Sequence, residues 1–211
     1  MFISGKAIQA LCSDAGPSLI SPPVIDRDVN QASCDLRLGE EAYVVGKDAP
    51  IRLSADKDPY LTIAPGEFAL LTTYETVKLP DYLVGFITLR NRYKLQGLVN
   101  ITGFHVDPTF QGRLVFGVNN AGPSDIRLRF GEPTFSIFFA RVEGPKSEER
   151  KPDSDQLPLD YVQLLGGSSL TLSRLQKELG DLKNRVTMYA PLGIALLVAL
   201  ILNFLKGGGG K

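Results

Sequence analysis

Between Cys34 and Val142 the sequence is a succession of short apolar or alternating runs, each closed by a turn residue. The runs are Cys34–Leu38, Ala42–Val45, Ile51–Leu53, Leu61–Ile63, Phe68–Val77, Leu83–Leu89, Gly97–Thr102, Arg113–Val118, Ile126–Phe130 and Thr134–Val142. Gly39, Pro65–Gly66, Pro80–Asp81, Pro108, Gly122–Pro123 and Gly131–Glu132 punctuate them. Strands this short, at this spacing and without long amphipathic stretches between them, predict a sandwich, jelly roll or barrel rather than βαβ units. A short helix over Gly5–Cys12 precedes them, and residues 1–143 read as one β-rich domain.

The remainder of the 211 residues has a different character. Residues 144–168 open with the charged, proline-containing GPKSEERKPDSDQLPLD, which reads as a linker and then a lid segment. Over 169–185, Leu172, Leu175, Leu179, Leu182 and Val186 fall at heptad spacing and predict an amphipathic or coiled-coil helix. Residues 186–205 carry no charge, and ~20 residues of helix reach ~30 Å, so a membrane-spanning segment with a membrane location is expected there. A short tail, 206–211, follows. The amino-terminal sequence lacks the long apolar core of a signal peptide, so the β domain is expected in the cytoplasm.

Charge narrows the function. Lys plus Arg and Asp plus Glu are 23 each, so nothing pulls the chain toward nucleic acid. The two cysteines, Cys12 and Cys34, are too few for a zinc cluster and read as buried thiols. His105, the one histidine, has no partner at metal or triad spacing and reads as structural.

Four stretches, taken in order, resemble the dCTP deaminase/dUTPase family. They are QASCDLRLG (31–39), IAPGEFALLTTYETVKLPDYLVGFITLRNR (63–92), GLVNITGFHVDPTFQGRLVFGVNN (97–120) and IRLRFGEPTFSIFFARV (126–142). The resemblance implies a dUTPase-like β jelly roll that assembles as a homotrimer with nucleotide sites between subunits. It implies phosphate binding by Arg90 with Asn91, Arg92 and Lys94 nearby. Asp107 would face the attacking water in a pyrophosphatase, and Asp35 would hold Mg2+ on the nucleotide through water. No residue is expected to ligate metal directly. Each has a plainer reading: Asp107 as a turn opener before Pro108, Asp35 as a partner of Arg37, Arg90 as an interface residue.

The departures carry as much weight. Deamination needs a group that activates water and carries a proton. Gly117 stands where the family has its glutamate, Leu95 replaces an arginine, and Ser136 replaces a glutamine. The expected function is therefore a membrane-anchored nucleotide-binding trimer without dCTP deaminase chemistry. The alternatives are a tethered dUTPase-like pyrophosphatase and a purely structural platform.

Overall fold

A computed structural model describes residues 1–12, 18–23, 28–47, 49–144, 157–164 and 172–207. The chain divides into two compact units, Met1–Ser169 and Leu170–Lys211.

The first unit is built on an antiparallel sheet. Its strands are β1 (Ile20–Ser21), β2 (Cys34–Val44), β3 (Ile51–Arg52), β4 (Tyr60–Ile63), β5 (Phe68–Lys78), β6 (Leu83–Leu89), β7 (Leu98–Asn100), β8 (His105–Val106), β9 (Gln111–Asn120), β10 (Ile126–Arg129) and β11 (Pro133–Arg141). Helices α1 (Gly5–Leu11), α2 (Asn91–Lys94) and α3 (Leu159–Leu164) complete it. The large sheet runs β7-β9-β5-β2-β11-β6-β8, with β1 on β5 and β3 on β2, while β4 and β10 form a separate ribbon. The sheet curls until β6 and β7 approach one another.

Alternation explains both faces. On β9, Leu114, Phe116 and Val118 point inward and are buried, as are Leu36 and Leu38 on β2 and Phe135, Ile137 and Phe139 on β11. The Phe116 and Phe135 rings stack at 4.1 Å between centroids. On the ribbon, Leu61, Ile63, Ile126 and Leu128 close the core. Its outer face shows Tyr60 with the Arg127 guanidinium 3.9 Å from the ring.

The sequence places a break at Gly39, yet β2 passes through it. A Cβ at Gly39 would lie 2.5 Å from the Thr73 carbonyl oxygen, and the β2–β5 register shifts between Leu38 and Ala42. The glycine admits a close backbone approach at a bulge rather than ending the strand. Cys12 and Cys34 are free and buried; burial pushes the Cys12 thiol up to about 11 and Cys34 further up.

The second unit contains α4 (Leu172–Gly207). Leu179, Leu182 and Val186 of the expected seam are exposed on it. Among the described residues no helix is long and apolar enough to cross a membrane, which overturns the expected spanning segment at 186–205 and the membrane location with it. Pro191 lies inside the helix and removes one backbone donor. Gly193 follows it within the same helix, and Lys183 and Arg185 lie just ahead of residue 186. Residues 208–211 of the tail lie outside the described residues.

Candidate nucleotide site

Three strands set a polar row on the outer face of the sheet. The β2–β11 ladder puts Ser136 opposite Asp35, and the β11–β6 ladder puts Ser136 opposite Thr88. Ser136 Oγ donates to Asp35 Oδ1 at 2.7 Å. Beyond Leu89 the chain turns, and Arg90 supplies the extended residue that starts α2. Its backbone N–H donates to the Thr134 carbonyl at 2.9 Å, and buried Tyr93 anchors the helix. From this fixed position Arg90 Nη1 reaches Asp35 Oδ2 at 2.9 Å. The Asp35 side chain is 6% exposed, whereas that of Arg90 is 42% exposed.

The neighbouring cations differ in how they are held. Arg92 pairs with Glu132 at 2.5 Å, and Lys94 Nζ donates to Thr88 Oγ1 at 3.4 Å. Asn91 opens α2 beside them. Asp107 follows β8, where His105 Nε2 lies 3.4 Å from its Oδ1. Val106 pairs with Gly85 near the far end of β6 from Arg90. At ~3.3 Å per residue Asp107 and Arg90 lie on the order of 15–20 Å apart along that strand. Within one chain the fold gathers Asp35, Arg90 and Lys94 and leaves Asp107 elsewhere.

The pairing of Asp35 with Arg37, open on sequence, is replaced by a different arrangement. Arg37 Nε binds Glu75 Oε1 at 2.5 Å and its backbone N–H donates to Glu75 Oε2 at 2.9 Å. The Arg37 guanidinium also lies 4.4 Å from the centre of the Tyr74 ring. Burial pushes the Glu75 carboxyl up, with the Arg37 contacts opposing it. The DLR at 35–37 and the TYE at 73–75 held this signal: opposite charges in neighbouring strands.

Gly117 occupies a contrasting row. Leu70 is opposite Gly117, and Tyr43 is opposite Leu70. Tyr43 and Leu70 pack with Leu157, beside Phe68, Val115 and Val162 of α3, in an apolar cluster separate from the main core. Leu157 is tied down by its N–H, which donates to Glu41 Oε2 at 2.7 Å. A Cβ on Gly117 would fall 2.5 Å from Thr102 Cγ2 and 3.0 Å from Phe68 Cζ. Thr102 Oγ1 accepts from the Gly117 N–H at 3.0 Å and donates to Asn100 Oδ1 at 3.1 Å. The space next to Gly117 is filled, and filled by apolar groups. Thr102 and Phe68 were invisible as contributors from sequence because one comes from a loop and the other from the facing strand.

A protein-ligated metal does not fit this site. Among the described residues no three His, Cys, Asp or Glu side chains gather as a metal would need. Both oxygens of Asp35 are already engaged.

Residues 2–142 match the family model described as dCTP deaminase-like. The dCTP deaminase of Pyrococcus furiosus is 34% identical over 60% of this chain and 78% of its own. That of Thermococcus kodakarensis is 35% identical over 60% and 79%. The dUMP-forming dCTP deaminase of Methanobrevibacter smithii is 27% identical over 75% of this chain and 96% of its own. Among solved structures, the 2'-deoxycytidine 5'-triphosphate deaminase of Agrobacterium tumefaciens superposes with a TM-score of 0.54 at 20% identity, over 67% of this chain and 48% of that one. The chain thus spans about half the length of that structure, and the likeness speaks to fold. By the extent of the family match and the order of its motifs, this chain belongs to the dCTP deaminase-like family.

Proposed function

We propose that the chain is a nucleotide-binding member of its family that does not deaminate dCTP. The observation that carries this reading is the Gly117 position. Deamination needs a proton-carrying side chain there, and general acid–base assistance is typically worth ~10²–10⁴ in rate. Glycine offers no side chain, and the apolar groups around it would strip water from a carboxylate.

The ligand proposed is a pyrimidine deoxynucleoside triphosphate: dCTP, following the names of the relatives, or dUTP, following the family resemblance of the sequence motifs. Arg90 supplies the main phosphate contact, because a guanidinium fork matches phosphate oxygens. Lys94 adds charge, and Asn91 and Arg92 line the approach. Assembly as a homotrimer belongs to the same reading. It would let Asp107 of one copy approach Arg90 of another, which a single chain does not accomplish. Mg2+ would arrive on the nucleotide's phosphates rather than on protein ligands.

Titration calorimetry of the full chain with dCTP and dUTP, with ammonia and pyrophosphate followed in the same mixtures, tests this. Binding without ammonia or pyrophosphate is expected, and Arg90→Ala should weaken it by about 10- to 100-fold, the worth of a charge-assisted hydrogen bond. Pyrophosphate release would favour the dUTPase-like alternative through Asp107. Unchanged affinity in Arg90→Ala, or no binding, would favour a structural platform. A mass measurement in solution checks the trimer.

A further inference from the structure

The chemistry of Asp35 does not suit the part its family position suggests. Mg2+ keeps several of its waters and needs room for an octahedral shell. Asp35 is almost wholly enclosed, with Ser136 Oγ on one oxygen and Arg90 Nη1 on the other. The ladder registers of β2 with β11 and of β11 with β6 fix Ser136 over Asp35, so the enclosure is built by backbone geometry. Ser136 is also the residue that departs from the family's glutamine, and its short hydroxyl reaches Asp35.

Resting on the nucleotide reading above, we infer that Asp35 and Ser136 position Arg90 for phosphate, and that this site takes its nucleotide without any need for a divalent cation. A guanidinium carries five N–H donors in a rigid fork. Asp35 holds one Nη from the sheet side, which sets the plane of the fork. The exposed remainder of Arg90 faces outward with donors to spare. Ser136 holds Asp35 against rotation. Asp35 then gives a hydrated metal no bridge to the protein, and removing the metal costs the complex little.

The test is titration of the full chain with dUTP and dCTP in Mg2+ buffer and again in excess EDTA. Affinities that agree within about threefold, under ~1 kcal/mol, are expected. Asp35→Asn should lower affinity by about tenfold or more in both buffers, since a hydrogen bond between charged groups is weakened. Ser136→Ala should lower it less, again equally in both, and Ser136→Thr should restore it by keeping the hydroxyl. A merely structural role for Ser136 would move melting temperature without this pattern in affinity. The wild-type comparison of buffers needs no variant to fold. Binding that collapses in EDTA, with Asp35→Asn erasing only the Mg2+-dependent part, overturns the inference and leaves nucleotide binding standing. No binding in either buffer brings down the nucleotide reading and this inference together.

Discussion

The two rows on the outer face of the sheet, Asp35–Ser136–Thr88 and Tyr43–Leu70–Gly117, are built alike and have opposite chemistry. Each is a line of directly opposed residues across three antiparallel strands. The first is polar, with Ser136 hydrogen-bonded to Asp35, and open at Arg90. The second is apolar, covered by Leu157 and Val162, and closed at Gly117 by Thr102 and Phe68. One scaffold thus carries a row that keeps an exposed guanidinium and a row that serves as a packing surface; under the proposed function the first takes phosphate and the second no longer handles a proton.

The largest effect should come from a residue that underlies both rows. Phe116 precedes Gly117 and stacks on Phe135, which precedes Ser136. Phe116→Ala should cost ~3–5 kcal/mol in a urea melt, and it should loosen nucleotide binding as well as the apolar row. A loss confined to one row would show that the two are less tied than the shared core implies.

Next comes the closed row itself. Gly117→Glu should destabilise the chain by at least ~1–3 kcal/mol through overpacking, and it should not create ammonia release from dCTP. Thr102→Gly in the same chain should relieve part of that cost, because its methyl is the nearest obstacle. A variant as stable as the parent would mean the space is not closed.

Glu75 on β5 is bound to Arg37 on β2, two residues along from Asp35. Its folded carboxyl is pushed above the ordinary value of 4.5, chiefly by burial. The folded chain therefore holds this proton more tightly than the unfolded chain does. Its stabilising contribution is full below about 4.5 and is lost as pH rises through the folded value. Urea melts of parent and Glu75→Gln from pH 4.5 upward should show the parent's relative stability falling. A rise would mean that Arg37 outweighs burial.

The smallest effect belongs to Arg92, whose pair with Glu132 is largely solvated, with the Arg92 side chain 65% exposed. Arg92→Ala should change stability by less than ~1 kcal/mol. It should weaken nucleotide binding less than Arg90→Ala, if the polar row is centred where the sheet holds it.

Much of the scaffold was legible because alternation and turn residues are local signals. Leu83–Leu89 is found as read, and Phe68–Val77 and Arg113–Val118 differ only at their ends. What escaped was non-local. The two-residue strand His105–Val106 exists only by pairing with β6, and the passage of β2 through Gly39 depends on Thr73 across the sheet. The site divides in the same way. Gly117 announced a missing side chain, but not that Thr102 and Phe68 fill its place. Asp35 and Arg90 were nameable from motifs, whereas their pairing and Ser136 as the third member required the register of three strands.

We propose that the proton-handling row is gone while the phosphate row remains. Ammonia release from dCTP, measured on purified full-length protein against a heat-killed control, tests it most directly. The expected result is release no faster than the control at a dCTP concentration where calorimetry shows the site occupied. Sustained release above the control, abolished when Asp35 or Arg90 is replaced, would contradict it.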